Sequence, residues 1–150
     1  MEPLSPRALA VSDLAIEVFR ANGALLAAGD ALTRPAGLTS ARWQVLGVID
    51  RTPQTVADVA RTMGLRRQSV QQTADALVAE GLAELADNPR HRRAKLLGLT
   101  DTGRRALAEV ERRHALWADD LAAGLDPSQV AAATAALRAL TDALEPGGPR

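Results

Sequence analysis

Between Thr55 and Gly81 two short apolar periodicities meet at a single glycine, and this junction restricts the fold more than any other feature of the chain. Val56, Val59, Ala60 and Met63 recur at i, i+3, i+4 and i+7, the spacing of one buried helix face, and Gly64 ends it. Leu65 leads into a second helical period over roughly Arg67 to Glu80, with Val70, Ala74, Leu77 and Val78 as its apolar face and Gly81 as its stop. Two short helices joined by a tight glycine-containing turn predict a helix-turn-helix unit. The outward face of the second helix carries Arg66, Arg67, Gln68, Ser69, Gln71, Gln72 and Thr73. These side chains suit a DNA groove, because arginine bonds guanine bidentately, glutamine bonds adenine and hydroxyls reach phosphates. Taken alone, the same face reads equally well as a solvated helix surface.

After Gly81 the period changes. Leu82 to Asp87 and Ala94 to Leu99 are strand candidates on either side of Asn88-Pro89-Arg90-His91-Arg92-Arg93, and Asn-Pro favours a turn. The expectation is a β-hairpin with Arg90, Arg92 and Arg93 at its tip, directly after the helix-turn-helix. Charge distribution supports a polyanion partner here although the chain as a whole is neutral. Residues 61–95 hold six arginines, one lysine and four acids, a net of +3, whereas residues 1–60 net −1 and residues 96–150 net −2. A local basic patch between acidic segments is what a DNA-docking surface needs, and the global sum hides it.

The flanking segments read as helices. From about Ser5 to Leu32 there are two apolar stripes, Leu9, Ile16, Phe19 and Leu26 on one side and Val11, Leu14, Val18, Leu25 and Leu32 on the other. A helix apolar on two sides must be covered on two sides. Pro35 and Gly37 break it, and a short helix follows from Ser40 to about Asp50, with Thr39 as N-cap and Leu38 stapled onto Trp43. Arg42 stands where a capping box wants Glu or Gln, so this cap is read as incomplete, and residues 51–54 are read as a loop. Thr100 caps a helix running to about Ala123, with Leu107, Val110, His114, Trp117 and Leu121 at 3-4-3-4 spacing. Asp126, Pro127 and Gln129 open a last helix, and Val130, Ala133, Leu137, Leu140 and Leu144 repeat that spacing. The tail from Glu145 to Arg150 is expected to fray.

Composition removes several classes of function. There is no cysteine, which excludes disulfide scaffolds, thiolate metal sites and thiol redox sensing. His91 and His114 lie in different elements, so no metal or other cofactor is expected. The longest stretch without a charge, Pro127 to Leu137, is eleven residues, where a spanning helix needs about 18. Glu2, Arg7, Asp13, Glu17 and Arg20 interrupt any signal-peptide core, so a cytoplasmic protein without a membrane partner is expected. No Ser-His-acid set, phosphate loop or paired-carboxylate motif stands out, and the chain reads as a non-enzyme.

The order helix, helix-turn-helix, hairpin wing, long helices resembles the MarR family of winged-helix transcriptional regulators. The resemblance is most specific from TVADVARTMGLRRQSVQQTADALVAEGLAEL through DNPRHRRAKLLGLTDTG. The second stretch is similar to the family's wing signature, D-R-R, an apolar strand, then L-T-x-x-G, which Arg92, Arg93, Leu99, Thr100 and Gly103 match. His91 departs from it: the family commonly has Asp there, so a usual Asp–Arg contact in the wing is missing or changed.

This resemblance implies a mainly α fold with a small β-hairpin wing, in one domain of 150 residues. A winged helix-turn-helix lobe would occupy residues 34–100, and residues 5–33 and 101–145 would be dimerisation helices. It implies a homodimer on a palindromic operator in double-stranded DNA, with half-sites about 10 bp apart. Arg67, Gln68, Ser69, Gln71 and Gln72 would enter the major groove, with phosphate bonding as the alternative for Ser69 and Thr73, and the arginines at 90, 92 and 93 would reach the adjacent minor groove or its phosphates. It also implies a small aromatic effector between lobe and dimer helices, with Phe19, Trp43, His114 and Trp117 as candidate lining residues. A winged-helix module that binds another protein, without an operator, is the rival reading.

Overall fold

The structure, a computed structural model, describes residues 4–145. Most of the tail expected to fray, residues 146–150, lies outside them; Glu145 itself is exposed and its N–H donates to Thr141 O. The chain forms two compact units that part after Glu111, within its fifth α-helix.

In the first unit, α1 (Pro6–Thr33) begins with Ser5 Oγ accepting from Ala8 N at 3.2 Å and proline at its first position. It runs one residue past the expected end and closes through a 3₁₀ turn, Arg34–Ala36. Helix α2 (Ser40–Arg51) has the Thr39 cap, whose Oγ1 accepts from Arg42 N at 3.3 Å. A carboxylate of α1 adds a second acceptor at this end: Asp30 Oδ1 accepts from Ser40 N, the first N–H of the helix, at 2.8 Å. Arg42 is used elsewhere, bonding Glu80 through both terminal guanidinium nitrogens at 2.8 and 2.9 Å. Asp30→Ala should therefore lower the unfolding free energy by about 1–2 kcal/mol in a urea melt, and Asp30→Asn, which keeps an acceptor, should recover most of it.

Helices α3 (Val56–Met63) and α4 (Arg67–Ala79) are the expected helix pair. Gly64 at φ +64° turns the chain between them, and Leu65 N returns to Ala60 O at 2.9 Å, so the orphan carbonyls at the end of α3 are satisfied. The hairpin follows as β1 (Ala83–Ala86) and β2 (Leu96–Leu99), antiparallel with Ala83 opposite Leu99 and Ala86 opposite Leu96. Both strands are shorter than the pattern suggested. Leu82 is taken by the end of α4, its N–H donating to Leu77 O, and Ala94 by the wing turn, its N–H donating to His91 O. A further correction concerns the stretch read as a loop: Gln54 forms a two-bond antiparallel bridge with Leu97, at 3.1 and 2.8 Å.

Helix α5 (Asp101–Ala122) starts beneath the wing. Thr100 Oγ1 accepts from Gly103 N at 3.0 Å and donates to Gly81 O at 2.6 Å, while Thr100 N donates to Leu82 O. The helix comes so close to this turn that a Cβ at Gly103 would lie 1.9 Å from Leu82 O. The core of the unit is aliphatic: Leu46 and Ile49 of α2, Val59 of α3, Val70 and Leu77 of α4, Leu97 of β2 and Val110 of α5 are all buried. Each such side chain contributes about 1.5–3 kcal/mol of burial. Trp43 is half-buried against this core, to which Leu38 also belongs.

In the second unit, α6 (Pro127–Leu144) is capped by Asp126, whose carboxylate accepts from Ser128 N and Gln129 N at 2.7 and 3.3 Å. The Ser128 hydroxyl also donates to it, and these bonds hold the Asp126 carboxyl below the usual carboxylate range. No residue of α6 is buried; Val130, Leu137 and Leu144 are exposed. Among the described residues, no helix is long and apolar enough to cross a membrane.

Candidate nucleic-acid interface

The periodicity that buries Val70, Ala74 and Leu77 puts the intervening positions of α4 on the opposite side, and the structure leaves Arg66, Arg67, Gln68, Ser69, Gln71 and Gln72 exposed there. Arg66 is the N-cap and caps nothing with its side chain, so its guanidinium projects without a local backbone role. Gln71 Nε2 donates to Asp75 Oδ1 at 2.8 Å, one turn along the helix. Thr73 differs from the rest: it is half-buried and its hydroxyl donates back to Ser69 O at 3.2 Å.

The wing supplies the second element. Its turn is built from its own residues, with Asn88 Oδ1 accepting from Arg90 N at 3.0 Å and Asn88 O accepting from His91 N at 3.2 Å. Arg90, Arg92 and Arg93 are exposed around it. At the base, Lys95 Nζ bonds Asp87 Oδ1, and this ammonium holds the Asp87 carboxyl below its ordinary range. The pair closes the loop where the strands stop pairing.

These two elements meet. A cleft of about 200 Å³ is lined by Arg67 and Gln71 of α4, by Arg93, Ala94 and Lys95 of the wing and by Thr55, Val56 and Ala57 at the start of α3. Sequence reasoning placed Arg67, Gln71 and Arg93 in one interface without showing that they share a surface. Lys95, of the same basic run but outside the candidate contacts named from the sequence, lines the cleft as well. Sequence reasoning also gave no sign of the α3 start, which becomes a neighbour of the wing only once Gln54 pairs with Leu97.

The four candidate effector residues are placed less coherently. Phe19 is 76% exposed on α1, and Trp43 packs on the lobe core. In the second unit His114 and Trp117 sit one turn apart on α5 with ring centroids 5.7 Å apart. Trp117 also lines an apolar groove of about 420 Å³ with Leu121, Leu125 and Val130. Among the described residues, no group of three His, Asp or Glu side chains is placed to hold a metal ion.

Comparison with known proteins identifies this architecture. The model of the MarR family matches residues 36–94, the span from the α2 entry to the wing. The uncharacterized protein Rv2011c of Mycobacterium tuberculosis is 39% identical over 139 residues, 93% of this chain and 97% of its own. Among solved structures, the M. tuberculosis transcriptional regulator MosR in complex with DNA superposes with a TM-score of 0.75 at 25% identity, covering 88% of this chain and 98% of that one. CouR of Rhodococcus jostii RHA1 bound to p-coumaroyl-CoA has a TM-score of 0.75 at 25% identity, over 85% and 91% of the two chains. The repressor CouR bound to a 23-mer DNA duplex gives 0.72 at 26% identity, over 94% and 99%. With the helix pair, the wing and the flanking helices matched in both sequence and backbone, the chain belongs to the MarR family of winged-helix transcriptional regulators, a DNA-binding family rather than an enzyme.

Proposed function

We propose that this chain is a repressor that binds a palindromic operator as a homodimer and is released by a small aromatic ligand. The observation that carries the DNA reading is the shared cleft of Arg67 and Gln71 with Arg93 and Lys95. Arg66, Arg67, Gln68, Gln71 and Gln72 enter the major groove, Ser69 bonds a phosphate, and Thr73 has the weakest role because its hydroxyl is already used. Arg90, Arg92 and Arg93 reach the adjacent minor groove or its phosphates, with Lys95 behind them. MosR and CouR, both bound to DNA in solved structures, support the reading.

Homodimerisation is supported by apolar surface that the chain itself leaves open. Leu9, Val11, Ile16, Phe19 and Leu25 of α1 are exposed, as are Val130, Leu137 and Leu144 of α6. Isolated, this much apolar helix surface in water is unfavourable, and a second copy covers it. Residues 34–100 then form the reading lobe, with residues 5–33 and 101–145 as dimerisation helices; α5 also lends Leu107 and Val110 to the lobe core. The aromatic ligand is supported by the p-coumaroyl-CoA bound to CouR, with Phe19, Trp43, His114 and Trp117 as its candidate contacts. Such a ligand acts only through unequal affinity for the DNA-bound and free arrangements.

A footprint on the intergenic DNA beside the gene tests the reading. A protected palindrome, lost on adding the right aromatic acid, is the expected result. No protection at low salt would instead favour a winged-helix module that binds another protein.

A further inference from the structure

The wing tip carries one side chain to which DNA binding as proposed above gives no role. His91 is exposed between Arg90 and Arg92, and its backbone is held on both sides, N–H to Asn88 O and carbonyl from Ala94 N. The charged groups of its own turn are Arg90, Arg92 and Arg93, with Asp87 and Lys95 at the base; Arg67 of α4 lies across the cleft from Arg93 and Lys95. No carboxylate occurs from residue 88 to residue 95, and the one at Asp87 is engaged by Lys95. An imidazole here therefore has no acid within its own turn to pair with, and stands where the wing presents its positive charge.

We infer that His91, as imidazolium, is a further DNA-contacting residue of the wing, so that duplex binding takes up a proton at each wing tip. The inference rests on the DNA reading of the cleft. Guanidinium groups stay charged at every working pH, whereas an imidazole carries a charge only once it has taken up a proton. The tip thus has three fixed charges and one conditional charge. A duplex brings negative potential to the place where the proton adds a positive charge, so each favours the other, and by linkage the coupling is reciprocal. Acidification then strengthens the grip on DNA without any change in the lobe.

The test is fluorescence anisotropy of the full chain with a labelled duplex from the adjacent intergenic DNA, titrated with salt at about pH 6 and about pH 8. The wild-type chain should bind about tenfold more tightly at the lower pH, with a salt slope steeper by about one for each wing engaged. His91→Gln should lose both differences, and His91→Arg should bind at the higher pH as tightly as wild type does at the lower. His114, beside Trp117 on α5, is untouched in both variants, so a pH response confined to the wild-type chain belongs to position 91. Equal wild-type affinity at both pH values, or a His91→Gln variant that keeps the wild-type response, overturns the inference while the DNA reading stands. A wild-type chain that binds no duplex at either pH overturns both.

Discussion

Alanine at both Arg67 and Arg93 should weaken binding to a specific duplex about a thousandfold and leave the folded chain unchanged by circular dichroism. The two residues come from different elements but line one cleft, so their replacement removes positive charge from both sides of it. Removing one charge-assisted hydrogen bond to DNA costs on the order of 1 kcal/mol at the low end, and the homodimer proposed above would be deprived of each bond twice. Two arginines in two subunits then make about 4 kcal/mol, which at about 1.4 kcal/mol per decade is roughly three orders of magnitude. The single variants separate the roles. Arg93→Ala should weaken all sequences alike and lower the salt slope by about 0.9 for each phosphate it no longer neutralises, whereas Arg67→Ala should also relax discrimination at one base position. Unchanged affinity and salt response in the double variant would remove the cleft from the interface.

The second large effect is on stability. Gly103→Ala should destabilise the chain by at least about 4 kcal/mol, a large fraction of a typical domain's 5–15 kcal/mol. A methyl group there would stand 1.9 Å from Leu82 O and 2.9 Å from Leu82 C, both backbone atoms, and 3.0 Å from Leu99 Cδ2. Backbone held by the bonds from Thr100 N and Leu77 O cannot step aside as a surface side chain would. Helix propensity alone gives the opposite sign, since alanine is favoured over glycine in a helix by about 1 kcal/mol. Gly47 in α2 supplies the comparison, because nothing lies within 4 Å of its added Cβ. Gly47→Ala should therefore be neutral or stabilising by up to about 1 kcal/mol in the same urea titration. Equal responses at the two positions would show that α5 does not approach the turn between α4 and β1 as closely as the structure has it.

What was legible in the sequence follows from what leaves a periodic or stereochemical trace. The α3–α4 pair could be read because Val56, Val59, Ala60 and Met63 repeat with helical period and Gly64 supplies the left-handed turn. The tip arginines could be read because a charged run between apolar strands has few other placements. The Asp30 cap could not, since its partner Ser40 lies ten residues away and the pairing depends on how α1 meets α2. The Gln54–Leu97 bridge is a single rung and has no alternation to reveal it. The strand ends were overestimated for a similar reason: Leu82 and Ala94 look like strand residues, but their backbone groups are committed to the adjoining turns. Of the candidate interface, the exposed residue types were legible and their convergence was not, because convergence depends on the wing folding back beside the start of α3.

That single rung at Gln54 has a consequence for how such a protein is switched. With the Thr100 bonds to the end of α4 and the Arg42–Glu80 fork, it ties wing, α2, α3 and α4 together at three independent points. A hairpin so moored cannot flap away from its neighbour helix without breaking several of these ties at once. The lobe is a stiff die rather than a hand that opens, and in the dimer proposed above an effector would have to shift where two dies strike the duplex rather than reshape either one.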